Sequence, residues 1–484
     1  RIRQEGGAEF FSLSPFDAAR YARWLEGLEA TEVLLSEVAH DNDVLRCDAE
    51  YFGKAILAAI HQLKSVGAMP LEGLAQITDG IHTSLPFTEY GNVKILSAKH
   101  PKDNYIDIVQ FETVTEEYHS KNPRTALREN DVIISTVGTI GNAAVVTADI
   151  LPANSDRHIG IIRLRDDAPP SFFLSTLLVG RYGRIQAVRE TTGNVQPNLF
   201  ISKIGRLLIP RFSDTFEKEV ADHVSYAYLQ RKRAGEYLSQ AEKKLLNALD
   251  LDAWIPPATL SYVRSSQDAF AAGRLDAQFF APRVTGLLEC LGRDGLRIRD
   301  VAPVRRERFE PAGTGSFNYI EIGSLGADGT AAADEVPMAG APSRATQHVH
   351  AGDVITSTVR PIRRLTALIA PEQDGAVCSS GFVVLEPQKI SGEVLLTYLR
   401  LPVVCELMDL HTSATMYPAI SEADLLALPI PEIPLAVQQR VQSAVRQSYE
   451  ARRQANRFLE AAKRAVEIAI EDSEARALEY LSEF

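Results

Sequence analysis

The sequence predicts an α+β protein with two tandem α/β domains, joined by two long antiparallel coiled-coil helices and related by a pseudo-two-fold internal duplication. Three observations predict this fold class. One block of sequence occurs twice, about 220 to 228 residues apart. Each copy closes with a long polar segment of heptad spacing, and the part before that segment mixes short apolar runs with turn residues.

The composition is that of a large globular protein. The 484 residues are 45% hydrophobic, and apolar runs such as 172–179 are far shorter than the ~20 residues that span a bilayer. A net charge of -12 leaves room only for local nucleic-acid-binding surfaces, because binding phosphate requires Lys and Arg. No C-x-x-C pair occurs among the cysteines, which are Cys47, Cys290, Cys378 and Cys405. We therefore expect no disulfide framework and a cytoplasmic protein.

The duplicated blocks match in a constant order. Residues 30–52 align without a gap with 258–280, and 131–137 (DVIISTV) align with 353–359 (DVITSTV). The boundary between the copies falls near Pro256-Pro257, a pair that breaks regular structure. We predict five segments: an N-terminal helical extension at 1–29, globular domains at 30–215 and 258–434, and helical regions at 216–257 and 435–484.

Each copy ends in a predicted helix, at 216–250 and 435–472, without internal proline. Small and apolar residues recur at alternating spacings of four and three, in the same register in both helices. The main seam positions are Val224, Arg231, Leu238 and Leu245, then Val445, Arg452, Leu459 and Val466. An arginine at the same seam position costs stability but fixes pairing register. The alternative is that each helix packs only on its own domain.

Short apolar or β-branched runs bounded by turn residues predict strands in the first copy. These runs are 31–38 (TEVLLSEV), 94–98, 131–137, 142–147 and 158–164. Helical spacing with few turn signals predicts helices at 172–188 and 393–408.

Two kinds of passage are candidates for contact with DNA. The first is a glycine-containing turn at 136–146, replaced in the second copy by the Arg-rich 358–369, which we expect to contact phosphate. The second is a loop rich in hydroxyl and amide groups, at 191–198 and 412–419. Such groups read base edges in the major groove, and they also form turns and caps. The candidate residues are Thr139, Asn142, Thr192, Asn194 and Gln196, then Arg360, Arg363, Arg364, Thr412, Ser413, Thr415 and Tyr417.

Motifs for catalysis are missing from the sequence. It contains no G-x-x-x-x-G-K-[ST] phosphate loop, no Asn/Asp-Pro-Pro-aromatic passage and no G-x-S-x-G elbow. His348 and His350 have strand spacing but no third metal ligand nearby. We therefore expect no catalytic residues, metal or cofactor in this chain.

The ordered set of motifs resembles the specificity subunit of type I restriction-modification systems, over residues 30 to about 475. RCDAEYF at 46–52 and RLDAQFF at 274–280, the D-V-I-x-S-T-V strand, the I-S…I-P passage and the paired terminal helices carry this resemblance. The resemblance implies two target recognition domains that each read half of a bipartite DNA site, with helices that set the spacing. It also implies partners: double-stranded DNA, two adenine methyltransferase subunits that hold S-adenosylmethionine, and motor-nuclease subunits, with no membrane.

Other interpretations stay open. The chain is alternatively the recognition module of a single-chain restriction-methylation enzyme or of another phage-defence methyltransferase system. A coiled-coil scaffold that binds only proteins is a third interpretation, and a stand-alone enzyme has the least support. Residues 1–29 are either a methyltransferase-docking helix or the end of a fused methyltransferase.

Overall fold

A computed structural model describes residues 17–25, 31–40, 46, 48–107, 111–193, 197–252, 254–255, 259, 261–413 and 418–484. The chain divides into two compact units, which consist of residues 1–228 with 456–484 and residues 229–455. Each unit therefore holds one copy of the duplicated block and a part of each long helix. In the described part of the chain, no helix is both long and apolar enough to cross a membrane.

The first unit is built from short helices and strands that precede a long helix. The helices are α1 (Ala18–Leu25), α2 (Leu35–His40), α3 (Lys54–Ser65), α4 (Glu116–Ser120), α5 (Ser171–Val179), α6 (Arg181–Glu190), α7 (Ile201–Ile204) and the beginning of α8 (Asp214–Ala248). The strands are β1 (Met69–Pro70), β2 (Ala75–Asp79), β3 (Val93–Leu96), β4 (Glu112–Val114), β5 (Val132–Ser135), β6 (Ala143–Val145), β7 (Ala153–Ser155), β8 (Ile159–Leu164) and β9 (Leu208–Ile209).

Two main sheets form the globular part of the first unit. One is antiparallel with the order β2-β8-β5-β6, and the other has the order β4-β3-β7 with β3 and β7 parallel. Strand β5 lies inside the first sheet, where Ile133 pairs with Ile161 and both side chains are buried. Its continuous apolar sequence fits a strand that is covered on both faces.

The second unit continues from the end of α8. Its helices are α9 (Ser266–Ala272), α10 (Pro282–Leu291), α11 (Ile298–Val301), α12 (Gly392–Arg400), α13 (Pro402–Leu410), α14 (Glu422–Ala427) and the beginning of α15 (Leu435–Glu471), after which α16 (Glu474–Leu481) belongs to the first unit. Its strands are β10 (Ser316–Ile320), β11 (Asp334–Pro337), β12 (Ala345–His348), β13 (Val354–Ser357), β14 (Thr366–Leu368), β15 (Val377–Ser379), β16 (Phe382–Leu385), β17 (Thr412–Ser413) and β18 (Ala419–Ile420).

The two units share one sheet plan. The order β14-β13-β16 repeats β6-β5-β8, and β11-β10-β15 repeats β4-β3-β7, including its parallel pair. The equivalent aspartates before β5 and β13 each bind an arginine, but from different places in the chain: Arg163 of β8 binds Asp131 at 2.7 and 2.9 Å, and Arg305, before β10, binds Asp353 at 2.7 and 3.0 Å. The predicted fold class, a duplicated domain of mixed helices and sheets with long helices, is confirmed.

The long helices pair antiparallel within each unit. In the first unit, the rings of His223 and Tyr226 lie 5.4 and 4.5 Å from the ring of Phe458. In the second unit, the hydroxyl of Ser448 donates to the carbonyl of Ala234 at 2.8 Å. Helices that packed only on their own domains would make neither contact. Val224, Leu245, Val445, Leu459 and Val466 are buried, whereas Arg231, Leu238 and Arg452 are half-buried.

The seam arginine of α15 is paired with a globular part of its own unit. Arg452 forms an ion pair with Asp328, and both side chains are less than a fifth exposed. Burial alone would raise the pKa of Asp328, but the charge of Arg452 and hydrogen bonds from Thr330 outweigh it and lower that pKa. The Ser448 contact places Arg231 nearly opposite Arg452, because these arginines lie one turn from the two bonded residues.

Three of the predicted elements differ from the structure. The strand predicted at 31–38 is wrong, because helix α2 begins at Leu35, and only Val38 among its described side chains is buried. The single helices predicted at 172–188 and 393–408 are each two helices, α5 with α6 and α12 with α13. Gly180 ends α5, and Pro402 begins α13, since proline has no N–H to continue a helix.

Candidate nucleic-acid interface

In the first unit, the tight connection between β5 and β6 (residues 136–142, here turn 1) presents one candidate side chain. Gly138 and Gly141 have left-handed backbones, with φ of 69° and 84°. The hydroxyl of Ser135 donates to the carbonyl of Thr139 at 2.5 Å and holds the turn closed. The side chain of Thr139 is exposed and lies beyond this bond. Turn 1 therefore presents the exposed hydroxyl of Thr139 on a backbone that the hydrogen bond from Ser135 holds in place.

The polar loop that follows α6 (residues 191–198, here loop 1) lies beside turn 1. Thr192 and Asn198 exchange backbone hydrogen bonds of 3.0 and 2.8 Å, which close the loop at its base. The next residue, Leu199, donates its N–H to the carbonyl of Thr136 at 2.9 Å. Asn194 and Gln196 lie outside the described residues.

The second unit repeats this arrangement. Its turn between β13 and β14 (residues 358–364, here turn 2) lies beside the loop that follows α13 (residues 412–419, here loop 2). Ile420 donates to the carbonyl of Thr358 at 3.0 Å, the counterpart of the Leu199 bond, and Arg360 donates its N–H to the carbonyl of Pro418 at 2.8 Å.

Strands β17 and β18 close loop 2 at its base. The hydroxyl of Thr412, at the start of the loop, donates to the carbonyl of Asp409 at 2.7 Å. The backbone of Ser413 pairs with Ala419. Thr415 and Tyr417 lie outside the described residues. Each unit therefore brings its turn and the base of its polar loop together.

The three arginines of turn 2 have different environments. Arg360 and Arg363 are exposed, whereas Arg364 donates to the carbonyl of Arg400 at 2.6 Å and pairs with Glu242 of α8. Arg364 therefore fastens turn 2 to the long helix and has less capacity for DNA. Arg360 and Arg363 are the exposed arginines of turn 2, where a guanidinium can meet phosphate.

Asn142 also has a different environment from the one that direct base reading requires. It is 7% exposed, and its side-chain oxygen accepts a hydrogen bond from Arg184 at 3.0 Å. Arg184 pairs in turn with Asp103. Asn142 would have to leave this contact to reach a base, so in this structure it supports turn 1.

Most other clustered arginines are engaged in ion pairs. Arg181 binds Glu471 at 3.0 Å, and Arg306 binds Glu422 at 2.5 Å. These ion pairs fasten elements of one unit together.

The two histidines of the β12 region have partners other than a metal. His350 contacts Glu307 at 2.9 Å and Asp374 at 3.1 Å. The hydrogen bond that His350 donates to Glu307, and then the one to Asp374, raise the pKa of His350 above its ordinary value. Among the described residues, no three His, Cys, Asp or Glu side chains cluster as metal ligands.

The duplicated R-x-D-A motif has a structural position that sequence reasoning missed. The guanidinium of Arg46 binds both carboxylate oxygens of Asp48, at 2.8 and 3.0 Å. It also donates to the carbonyls of Arg189 and Thr191, at 3.0 and 2.9 Å, where α6 passes into loop 1. The N–H of Tyr51 completes the motif by donating to Asp48 at 2.9 Å. The hydrogen bond from Arg46 lowers the pKa of Asp48.

The second copy of the motif occupies the same place. Arg274 binds Asp276 at 2.7 Å and donates to the carbonyl of Leu410 at 2.6 Å, where α13 ends before loop 2. Phe279 donates its N–H to Asp276 at 3.0 Å. The repetition of the motif was visible in the sequence, but its contacts with the helix ends before the loops join residues more than a hundred positions apart.

No family model matches the sequence, and no curated protein matches it. Solved structures do match, with low sequence identity. A type I restriction-modification S subunit from M. genitalium is 12% identical, with a TM-score of 0.35, over 86% of this chain and 95% of that chain. A chain from a structure on complex assembly and conformational transition of the type I R-M system is 17% identical, with a TM-score of 0.28, over 84% of this chain and 97% of that chain. The HsdS subunit from Thermoanaerobacter tengcongensis is 17% identical, with a TM-score of 0.27, over 82% of this chain and 96% of that chain. Two of these chains are named as S or HsdS subunits, and the third comes from a structure of the type I R-M system.

Proposed function

We propose that this chain is the DNA-recognition subunit of a type I restriction-modification system and reads a bipartite site. One observation carries the proposal: each unit holds a turn beside a polar loop in the same backbone frame, while the side chains differ between the copies. A duplicated reader of two different half-sites needs this combination, because the frame positions the protein and the side chains select the bases.

The two kinds of passage have different tasks in this proposal. Loop 1 and Thr139 read the first half of the site, and loop 2 reads the second. Arg360 and Arg363 contact phosphate, which fixes position and adds affinity that falls with salt. The net charge of -12 is compatible with this, since partner subunits would supply most of the basic surface around the DNA.

Chemistry belongs to the partners in this proposal. Two adenine methyltransferase subunits hold S-adenosylmethionine and the pocket that receives the flipped adenine. Motor-nuclease subunits complete the complex that cleaves DNA. This chain contributes no catalytic group, and its long helices set the spacing between the two halves of the site, as protein geometry does in other two-headed readers. The complex acts in the cytoplasm.

A loop exchange tests the proposal. Loops 1 and 2 have equal length, so TTGNVQPN at 191–198 can be replaced by TSATMYPA without changing the frame. With the methyltransferase present, we expect this variant to methylate a site with one half altered and the other half retained. Tyr90→Ala is a matched control, since Tyr90 is exposed on the first unit but belongs to neither turn 1 nor loop 1. An unchanged motif, or loss of both halves in a folded variant, would contradict the assignment.

A further inference from the structure

The base of each polar loop is held by a residue that does not belong to the loop. Arg46 satisfies two carbonyls, of Arg189 and Thr191, at the end of α6. Carbonyl groups at a helix C-terminus have no partner within the helix, and a cation there also interacts favourably with the helix dipole. Because Thr191 is the first residue of loop 1, this bond fixes the direction in which the loop leaves the helix.

The guanidinium that makes these bonds is itself held in one orientation. Asp48 binds it through two parallel hydrogen bonds, a geometry that restricts both the distance and the plane of the group. The ring of Tyr51 lies 4.8 Å from the guanidinium of Arg46 and 3.9 Å from that of Arg189, and Tyr51 is 2% exposed. Arg46 is therefore a rigid link between the motif and the loop.

We propose that Arg46 and Arg274 are positioning residues for specificity: each sets the path of one polar loop and thereby the reading of one half-site, without touching DNA. This inference rests on the proposed function. Base recognition needs donor-acceptor distances near 2.7 to 3.2 Å, so a small change in the direction of a loop weakens the selection of bases.

The repetition of this arrangement in both copies supports a positioning role over ordinary packing of the arginine side chains. The loops differ at six of eight positions, yet the arginine, the aspartate and the contact with the helix end are the same. The side chains of Arg46 and Arg274 are 19% and 30% exposed, so each borders solvent and lies at the edge of its unit's core. Loss of either guanidinium should therefore leave the cores of both units intact.

The two arginines differ in the number of backbone carbonyls that they bind. Arg46 binds two carbonyls, whereas Arg274 binds the carbonyl of Leu410 and lies 4.4 Å from the ring of Phe279. We expect a larger loss of specificity from the change at Arg46 than from that at Arg274.

The test compares Arg46→Ala and Arg274→Ala in cells that also express the methyltransferase, by mapping methylated adenines. We expect Arg46→Ala to lower base discrimination about tenfold in one half of the site only, and Arg274→Ala to do so in the other half only. Arg46→Lys should also relax its half-site, because an ammonium cannot bind the carboxylate and two carbonyls as a planar fork does.

Matched controls separate positioning from stability. Arg165 and Arg297 also donate to backbone carbonyls, of Gly73 and Ala427, but outside the loops. Arg165→Ala and Arg297→Ala should leave both halves of the motif unchanged. A merely structural role would lower the midpoint of thermal unfolding and overall methylation without changing base preference.

The outcomes distinguish this inference from the proposed function. An unchanged motif in both the Arg46→Lys and Arg274→Ala variants, with a bipartite motif for the unmodified chain, overturns the positioning role alone. Equal relaxation of both halves by a single variant also overturns it. If the unmodified chain directs no bipartite motif, the proposed function fails. If Arg46→Ala does not fold, Arg46→Lys decides the case for the first unit.

Discussion

Replacing Arg360 with glycine and with alanine separates the backbone of turn 2 from its side chain. Arg360 has φ 51° and ψ 62°, a left-handed conformation, at the place where turn 1 has Gly138. An L-residue in this region costs roughly 1–2 kcal/mol. The extra freedom of glycine in the unfolded chain costs about 0.4–1 kcal/mol. The glycine variant should therefore be more stable than the alanine variant by about 0.5–1 kcal/mol.

This order is the reverse of the usual one, in which alanine is the more stabilising residue. Both variants lose the same guanidinium and its contacts, so the comparison cancels the side chain. For a unit of this size, the difference corresponds to about 1–4 °C in the midpoint of thermal unfolding. An alanine variant as stable as the glycine variant would refute the backbone strain.

The same two variants test the contact with DNA. If Arg360 meets one phosphate, each variant should reduce the slope of log affinity against log salt concentration by about 0.9. The assay is titration of the complex with the methyltransferase on a duplex that carries the methylated motif, at several salt concentrations. Arg165→Ala should leave the slope unchanged. An unchanged slope in both Arg360 variants would refute the phosphate contact.

Three further predictions concern stability and spacing. Asp328→Asn should lower the free energy of unfolding by about 3–5 kcal/mol in a urea titration, because it leaves the charge of Arg452 poorly paired. Since the pKa of Asp328 is lowered, the difference in unfolding free energy between the two proteins should be present above an ordinary carboxylate pKa of about 4 and vanish as pH falls through the pKa of Asp328 in the folded protein. A difference that does not change with pH would contradict this prediction. Because the pKa of His350 is raised, its ion pair with Glu307 should stabilise the second unit below about pH 6.5, and this stabilisation should be lost as pH rises through the pKa of His350 in the folded protein. In thermal unfolding, His350→Gln should remove this pH dependence. Insertion of one heptad into each long helix adds about 10.5 Å and should widen the spacer of the methylated motif by about three base pairs, whereas an unchanged spacer would show that the helices do not set it.

The long helices were predictable because the residues that pair them recur with a short, regular spacing along the sequence. Heptad spacing repeats along each segment, and burial of Leu245 and Val445 agrees with it. The place of loops 1 and 2 was predictable for a similar reason, since the duplication aligns them.

Long-range side-chain contacts were not predictable in the same way. Arg46 with Arg189 and Arg364 with Glu242 join residues that are 143 and 122 positions apart. A repeated motif shows that such a residue matters but gives no partner for it. The interpretation of 31–38 as a strand failed because a short apolar run fits a strand or a helix equally well when no partner strand is known.

Mapping of methylated adenines in a host without its own adenine methylation tests the central claim most directly. The host would express this chain alone, the neighbouring methyltransferase alone, or both. We expect a bipartite methylated motif only when both are present. No new motif in the presence of a methyltransferase with demonstrated activity, or the same motif without this chain, would contradict its role as the DNA-reading subunit.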